Sequence, residues 1–383
     1  MSIWKIHFRR ELRRILTDRR ILVTMLGGPF LYALLFGGVY WSGRIREVPI
    51  VIVDQDDSAL SRDFSHALLA SENLSLAFYG NSAADFYEAA KHERAYACVV
   101  IPKDFERDTL RGEQGRVAVI LDGSNILIGN MTSRTISGTI ASYRVGARVR
   151  RLMAGGMTRA QATAAAAPIR PVVRALFNPT SHYGFFILIG LVLVALQQVT
   201  RMGAAISLSL DAEPQNRREI ASIGGGVWSV LTAKVAATAV TVLPIAYVAI
   251  RLPFDLFGSA FLGNWFLAFA LLTLFMLMQI FVGYGISGLC GSAVFSLHLL
   301  LFMSVPLFTL AGFTWPAYAM PGWVQAVRWL IPLAHITDVF RKMALMGAGP
   351  RSLWPHLAVL LAWLPVSVLW GYWGLRRQIG AQR

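Results

Sequence analysis

The sequence predicts an α-helical polytopic membrane protein with six transmembrane helices and an inserted external α/β domain. Three observations lead to this fold class. Of the 383 residues, 55% are hydrophobic and only 15% are charged, whereas a soluble domain carries about 25% charged residues. Residues 256–327 contain no Asp, Glu, Lys or Arg. Residues 42–182 have an ordinary composition and hold 14 of the 21 acidic residues of the chain.

The first transmembrane helix is predicted over residues 21–41, which contain no charged side chain. A helix of this length, at about 1.5 Å per residue, spans the hydrocarbon core of about 30 Å. A cleaved signal peptide is the alternative, but its apolar region would be shorter and a small-residue cleavage site would follow. Neither condition is met, so we expect an uncleaved first span.

Apolar segments predict five further spans in the second half of the chain. The uncharged region 256–327 is too long for one span and fits two, with a break near the Gly-rich residues 283–292. The other three spans are predicted at 183–206, at 227–250 and at about 355–375. Transmembrane helices 2–6 therefore occupy residues 183–375.

Basic residues near the span ends predict the orientation. Seven Lys and Arg lie in residues 1–20, and three Arg lie in the C-terminal tail 376–383. Basic residues favour the cytoplasmic side, so both ends are expected there, in agreement with an even number of spans. Domain 42–182 and loop 314–354 then face outward, and loop 207–226 faces the cytoplasm. The net charge of +15 is explained in this way by topology, and no nucleic-acid partner is predicted.

The external domain is predicted to be a small α/β layer followed by long helices at about 126–170. Runs rich in Val, Ile and aromatic residues predict strands at 49–54, 74–79, 96–102 and 116–122. Helical patterns at 58–71 and 82–95 separate the first three. No catalytic constellation is found in this domain. Asp54, Asp56 and Asp57 would fit a metal site, but a strand end with a helix-capping turn explains them more simply, so no metal is predicted.

Residues 1–20 are predicted to form an amphipathic interfacial helix. Trp4, Phe8, Leu12 and Ile15 fall on one face, and Lys5, Arg9 and Arg13 lie beside it. A basic amphipathic helix with aromatic residues lies in the plane of the membrane surface. A plain basic anchor that only fixes the topology is the alternative.

The loop 207–226 combines acidic and basic residues in a stretch compatible with a helix. A charged segment between two spans is expected either to dock on a cytoplasmic partner or to remain a solvated loop. Its charged residues are Asp211, Glu213, Arg217, Arg218 and Glu219.

Polar side chains inside the spans are costly and therefore indicate a pathway. Gln197, Gln198, Gln279 and His298 are all expected roughly 9–14 Å from the cytoplasmic ends of their spans, with Arg201 nearer the surface. Such residues would line a cytoplasmic vestibule. Separate interhelical hydrogen bonds of about 1 kcal/mol each are the alternative.

Prolines interrupt the outward loop 314–354, with short helices expected at about 322–331 and 333–346. Broken backbone at membrane depth is tolerated where it lines a cavity, so we expect re-entrant half-helices. An interfacial belt of Trp315, Trp323 and Trp329 is the alternative. The residues assigned to the re-entrant loop are Pro316, Met320, Pro321, Trp323 and Pro332.

Several segments resemble the type-2 ABC transporter permease family. Residues 213–234 (EPQNRREIASIGGGVWSVLTAK) are similar to the family segment after the second span, in which a charged cluster and a short helix precede an aromatic residue and a Lys. The matching residues here, which the resemblance assigns to coupling with an ATPase, are Glu213, Arg217, Arg218, Glu219, Trp228 and Lys234. The run 224–226 (GGG) departs from the family pattern, so the coupling helix is expected to end earlier or to be looser.

Further segments match the family in order along most of the chain, at 53–64, 121–125, 175–191 and 311–345. The first three are most similar to the subfamily with a large external domain between the first two spans. Members of this subfamily often work with a periplasmic adaptor, and an outer-membrane channel is a further expected partner.

The resemblance implies the permease subunit of an ATP-driven exporter in a bacterial inner membrane. A phosphate-binding loop needs a Gly before its Lys, and none of the five lysines follows a Gly. ATP and Mg²⁺ are therefore expected on a separate ATPase, and this chain is expected to be non-catalytic. By resemblance, two permeases pair with two ATPases to export a drug, lipid or other amphiphile. A membrane sensor or scaffold that uses the external domain as a receptor, and a membrane enzyme, are the alternatives.

Overall fold

The computed structural model divides the chain into two compact units, Met1–Gly43 with Ala175–Arg383 and Arg44–Arg174. The predicted end of the first span at residue 41, part of segment 175–191 and the end of the tail lie outside the described residues. The structure describes residues 2–40, 45–111, 113, 115–168, 176–177 and 183–380.

The first unit begins with α1 (Ile3–Thr17) and an apolar helical segment, Arg19–Val39. This segment consists of α2 (Arg19–Leu22), one π-helical turn (Val23–Gly27) and α3 (Gly28–Val39). Pro29 has no N–H, so the ordinary helical hydrogen bond to the carbonyl four residues earlier cannot form. The π turn lies immediately before this proline, where the helical ladder has to change.

The second unit contains a four-stranded mixed sheet in the order β2-β1-β3-β4. β1 pairs in parallel with both β2 and β3, and β3 pairs antiparallel with β4. The elements are β1 (Val48–Asp54), α4 (Ala59–Leu69), β2 (Leu74–Tyr79), α5 (Ala83–Lys91), β3 (Ala97–Ile101), α6 (Phe105–Arg111), β4 (Ala118–Leu121), α7 (Ile126–Ala154) and α8 (Arg159–Ala166).

Both faces of this sheet are covered. Ile50 and Val99 pack on one face against Phe64, and Val51 packs on the other face against Phe86. Alternating strand residues therefore contribute to two cores, as expected for central strands with helices on both sides.

The acidic turn after β1 is held by hydrogen bonds to its own backbone and to neighbouring helices. Asp54 accepts from the N–H groups of Asp56 and Asp57 and from the hydroxyl of Ser61. Asp56 accepts from the backbone N–H of Glu106. This is the helix-capping arrangement that the sequence favoured over a metal site.

The first unit resumes with a series of long apolar helices and shorter connecting helices. They are α9 (Tyr183–Asp211), α10 (Pro214–Ile223), α11 (Val227–Phe257), α12 (Trp265–Cys290), α13 (Ala293–Leu310), α14 (Gly322–Trp329), α15 (Pro332–Met346) and α16 (Pro350–Gly380). Within the described residues, six helices are long and apolar enough to cross a membrane: the Arg19–Val39 segment, α9, α11, α12, α13 and α16. The predicted helical architecture with six such helices is confirmed.

Helix α9 is the central helix of this unit. In the most apolar 18-residue stretch of α9, 78% of the residues are buried, whereas the corresponding share in α13 is 11%. The main apolar cluster joins Leu193 of α9 to residues of the first span, α11, α12 and α15, such as Met25 and Phe275. The exposed apolar face of α13 suits contact with lipid or with another membrane protein.

The break between α12 and α13 lies later than the middle of the predicted Gly-rich stretch. Gly291, at φ 73°, ends α12, and Ser292 caps α13 by accepting from the N–H of Phe295. Gly285 and Gly288 lie inside α12, where a Cβ would collide with Trp370 and with the backbone of Gly374 on α16. These glycines therefore allow close helix packing, as small residues commonly do in membranes.

Candidate functional site

The N-terminal helix α1 packs with a polar face inward. His7, Glu11 and Ile15, spaced four residues apart, are its buried residues. Trp4 and Phe8 stack on each other at 5.3 Å between ring centroids, and the Trp4 ring N–H donates to Thr232 at 3.1 Å. Of the predicted apolar stripe only Ile15 is fully buried, because α1 packs along α11 through the face that carries His7, Glu11 and Ile15.

The basic residues beside the predicted stripe, Arg9 and Arg13, are exposed, and Leu12 is half-buried. This distribution leaves a basic surface and a partly apolar one on the same helix. An orientation of α1 in the membrane plane stays a prediction.

Glu11 of α1 forms a buried ion pair with Lys234 at the start of α11. The Lys234 Nζ donates to Glu11 Oε2 over 2.6 Å and to the Ser207 hydroxyl over 2.8 Å. Ser207 in turn donates to the other oxygen of Glu11. Lys234 and Glu11 are 1% and 0% exposed, so neither charge is solvated by water.

Asp211, the last residue of α9, extends this pair into a network. It lies 2.6 Å from Lys234 Nζ and 3.1 Å from Arg10 Nη1, and it also accepts from Arg14. Arg10 contacts the exposed helix α10 as well, through Glu219 Oε2 at 2.7 Å. We call these six residues the ionic cluster; they are Arg10, Glu11, Arg14, Asp211, Glu219 and Lys234.

The ionic cluster balances three carboxylates against three cations. Burial alone would lower the pKa of Arg10, but the Asp211 and Glu219 carboxylates raise it above its ordinary value. Burying a charge is costly unless it is paired, and removing one partner from a buried pair costs about 3–5 kcal/mol. The cluster therefore fixes four elements to one another: α1, the end of α9, α10 and the start of α11.

Helix α10 lies between two spans and presents a polar surface. Glu213 precedes Pro214 at its start and accepts from the Asn216 side chain at 3.2 Å. Arg218 and Glu219 are exposed, and Arg217 is half-buried. This charged surface is open to a partner, and the Arg10–Glu219 ion pair connects it directly to α1.

The three-glycine run ends α10 and lets α1 approach. Gly224 and Gly225 have φ values of 75° and 95°, a region that favours glycine. The Gly224 carbonyl hydrogen-bonds to His7 Nε2 at 2.9 Å, and a Cβ at Gly225 would lie 2.8 Å from Ile3. This run, which departs from the family pattern, is thus a contact point for the N-terminal helix.

Trp228, assigned with Lys234 from the sequence, lies in a different environment. It is 49% exposed and stacks on Tyr372 of α16 at 4.6 Å between centroids. The structure therefore brings Glu219 and Lys234 into the ionic cluster, while Trp228 links the start of α11 to α16.

The polar residues proposed to line a pathway have different partners in the structure, and a shared pathway stays a prediction. Gln279 accepts from Arg201 Nε over 2.6 Å, and Gln197 is buried one helical turn before Arg201. Gln198 donates to the sulfur of Met202 at 3.7 Å. His298 is exposed on α13 and hydrogen-bonds to the Val294 carbonyl of its own helix at 2.8 Å.

The proline-rich segment forms the two short helices that the sequence indicated. Pro321 caps α14, Pro332 opens α15, and Pro316 precedes a short 3₁₀ turn, Ala317–Ala319. Met320 is 7% exposed, with its carbonyl accepting from the Gln325 side chain, whereas Trp323 is 74% exposed. A re-entrant position of these helices stays a prediction.

The side of α15 near α16 carries a buried polar group. Arg328 pairs with Asp338, which also pairs with Arg341 at 2.7 Å. His335 Nδ1 lies 3.0 Å from His356 Nδ1. Lys342 reaches the other nitrogen of His356 at 2.8 Å, and His335 Nε2 reaches the Trp329 carbonyl at 2.9 Å.

Sequence reasoning missed most of the ionic cluster. It named Glu219 and Lys234 by resemblance and treated Asp211 only as part of a charged loop. Arg10 and Arg14 were used only as basic residues that indicate the orientation of the chain. Glu11 was used only as one of the charges in residues 1–20. The one local signal is the placement of Glu11 four residues from both His7 and Ile15, which puts it on one helical face with these two residues.

Comparison with known proteins identifies the family to which the chain belongs. The family described as "ABC-2 family transporter protein" matches residues 19–373. The probable multidrug ABC transporter permease YbhR of Escherichia coli K12 is 19% identical, over 93% of this chain and 94% of that protein. The inner membrane transport permease YhhJ of the same strain is 22% identical, over 92% and 91%. The probable multidrug ABC transporter permease YbhS is 21% identical, over 92% and 91%.

Proposed function

Since the chain belongs to the ABC-2 family of transporter proteins, we propose that it is the membrane-spanning permease subunit of an ATP-driven exporter. A second permease completes the pathway, and separate ATPase subunits bind ATP and Mg²⁺. The cargo is a drug, lipid or other amphiphile that leaves the cytoplasm or the inner leaflet. Two relatives are named as probable multidrug permeases, which supports an export function.

The observation that carries this proposal is the ionic cluster. A permease without its own ATPase has to receive motion from another protein at its cytoplasmic edge. The exposed surface of α10 is suited to that contact, and Glu219 connects it to Arg10 of α1 at 2.7 Å. Asp211 and Lys234 then connect α1 to the ends of two apolar helices.

The coupling step follows from the high free-energy cost of separating two buried, paired charges. If α1 moves when the ATPase closes, Lys234 and Asp211 have to move with it, because Glu11, Asp211 and Lys234 would otherwise be buried without their partners. The ends of α9 and α11 would thus follow the ATPase. Glu213, Arg217 and Arg218 are the residues of α10 and its start that we assign to the ATPase contact.

The topology that fits this function places both termini and α10 in the cytoplasm of a bacterium, with the chain in the inner membrane. The α/β unit, residues 42–182 by sequence, is then external. The α14–α15 segment is then re-entrant on the outer side. A periplasmic adaptor and an outer-membrane channel are the partners that an external domain would serve in a Gram-negative envelope.

Co-purification of the tagged permease with an ABC ATPase of the same organism tests the proposal. We expect the tagged permease to retain the ATPase, and Arg218→Glu on the exposed surface of α10 to reduce the retained amount. Arg351→Glu is the matched control, because Arg351 is exposed at the start of α16, on the opposite side in the proposed topology. If the ATPase is not retained by the wild-type chain, or both variants behave alike, the sensor or scaffold interpretation is favoured instead.

A further inference from the structure

A buried arginine lies deep in the central helix α9, away from the ionic cluster. Arg201 lies ten residues before Asp211, or about 15 Å along the helix axis. Here α9 and α12 approach closely, since a Cβ on Gly283 would lie 2.6 Å from the Arg201 carbonyl oxygen. This close approach brings the Arg201 side chain to Gln279 on α12.

The Arg201 guanidinium has an amide partner and no carboxylate partner. Its Nε donates to Gln279 Oε1 over 2.6 Å, and the residue is only 9% exposed. No carboxylate within the described ranges forms an ion pair with it. Lys234, by contrast, is buried with two carboxylates in contact. Carboxylates therefore compensate the charge of Lys234 fully, whereas Arg201 has a neutral partner.

The neighbouring amides are also incompletely bonded. Gln279 Nε2 is buried without a hydrogen-bond acceptor among the described atoms, and Gln197 Oε1 is buried without a donor. Gln197 and Arg201 are four residues apart and share a face of α9. Buried polar groups are usually bonded, so an unpartnered donor beside an arginine indicates a missing acceptor.

The chemistry of the missing acceptor follows from the donors present. Arg201 has four further N–H groups after its bond to Gln279, and Gln279 offers its Nε2 amide. Donors in this number, with a positive charge, match the oxygens of a phosphate or carboxylate. A cation in an apolar span is costly unless such a partner is provided.

We propose that Arg201 and Gln279 bind the anionic headgroup of an amphiphile within the membrane-spanning part of the protein. The assignment of this site to the cargo rests on the proposed function, because it would place the exported molecule in the class of anionic amphiphiles. The headgroup belongs either to a transported molecule or to a membrane lipid. In both cases a phosphate or carboxylate accepts from the guanidinium and from the Gln279 amide.

The test measures binding to the permease alone in discs of phosphatidylcholine, which is net neutral. The probe is dodecyl phosphate, and dodecyltrimethylammonium has the same chain with the opposite charge. We expect saturable stabilisation of the wild-type chain by dodecyl phosphate only. Arg201→Gln is expected to weaken this binding by about ten-fold or more, and Arg201→Lys by less.

Gln279→Glu provides a second variant that keeps Arg201 in place. Its carboxylate would pair with Arg201 internally, so we expect dodecyl phosphate binding to be lost while the thermal stability of the empty protein is kept or raised. Equal binding of both probes, or unchanged binding in Arg201→Gln and Gln279→Glu, would overturn the proposal.

Two further measurements show whether the headgroup belongs to a membrane lipid or to the cargo. They also separate the anion-site hypothesis from the exporter hypothesis. Discs with phosphatidylglycerol show whether a bilayer lipid competes with dodecyl phosphate for binding. Competition that is lost in Arg201→Gln assigns the site to a lipid. Stimulation of ATP hydrolysis by dodecyl phosphate, with the partner ATPase present, assigns it to the cargo. Either result supports the anion site. If dodecyl phosphate binds as expected but no ATPase associates, the exporter function fails and the anion site stands.

Discussion

Lys234 donates a hydrogen bond to Glu11 over 2.6 Å, although the two residues lie 223 positions apart in the sequence. Both side chains are buried, and Asp211 lies at the same distance of 2.6 Å from the ammonium group. One lysine thus holds the N-terminal helix against the ends of two apolar helices. This arrangement makes the N-terminal helix a structural part of the helical unit and not only a basic anchor.

Removing the lysine is expected to destabilise the helical unit strongly. Lys234→Met leaves the Glu11 carboxylate buried without a cation, whereas Asp211 keeps Arg10 and Arg14, and an uncompensated buried charge costs about 3–5 kcal/mol. Thermal unfolding in detergent measures the loss. Glu11→Gln in the Lys234→Met background should recover part of it, because the uncompensated charge is then gone. Additive losses in the double variant would contradict a direct interaction.

The Arg10–Glu219 ion pair is expected to act on coupling more than on stability. The Glu219 side chain is 53% exposed, so solvent screens the pair and Glu219→Gln should cost about 1 kcal/mol or less. Stimulation of the partner ATPase by transported substrate should nevertheless fall. Asp255→Asn is the control, because Asp255 is a similarly exposed carboxylate in an ion pair with Arg251, at the other end of α11. Equal losses of stimulation in the two variants would argue against a specific role for the pair.

Close packing between α12 and α16 predicts sensitivity to a single methyl group. A Cβ at Gly374 would overlap the backbone of Tyr284 and Gly285. Gly374→Ala is therefore expected to destabilise the protein by about 1–3 kcal/mol, the usual cost of overpacking. Gly38→Ala, in the first span, should have little effect, because no atom lies within 4 Å of the added Cβ. The melting temperatures of the two purified variants provide the comparison.

The His335–His356 contact predicts lower stability at acidic pH. Burial lowers the pKa of His335, and its hydrogen bonds to His356 Nδ1 and the Trp329 carbonyl suit a neutral ring. Above about pH 6.5 the ring is neutral in both folded and unfolded chains. Below that value the unfolded chain takes up the proton first, so stability falls as the pH drops toward the lowered pKa of the folded state.

Melting temperatures measured across this pH range check that expectation. His335→Gln should flatten the dependence, because glutamine does not titrate. His66→Gln should leave it unchanged, because His66 is exposed in the α/β unit. A slope that is identical in His335→Gln and the wild type would show that the acid sensitivity has another origin.

The sequence was most informative where the bilayer dictates composition. Six apolar helices could be counted because each needs about 20 apolar residues, whatever it packs against. The ends were less predictable: α9 continues to Asp211, five residues beyond the expected end, because an ion-paired Asp can lie at the end of a span. Glu11 and Arg14 could not be assigned, since their partners lie about 200 positions away and no local pattern encodes such contacts.

The polar residues of the spans show the same limit. Gln197 and Gln279 were identified by the cost of polar groups in lipid, and both are buried. Arg201, which is the residue that contacts Gln279, was placed nearer the surface because the second span was expected to end at residue 206. The predicted length of the second span therefore decided whether Arg201 was assigned to the membrane interface or to the membrane interior.

In the proposed coupling, the ionic cluster transmits the motion of an ATPase to the spans. The most direct measurement compares substrate-stimulated with basal ATP hydrolysis in lipid discs that contain the permease and its ATPase. At a temperature at which Lys234→Met remains folded, this variant should keep the ATPase bound and hydrolysing but remove the stimulation. Lys234→Arg should retain part of the stimulation, and Arg251→Gln, at the exposed far end of the same helix, should retain it fully. Full stimulation in a folded Lys234→Met complex would contradict the account.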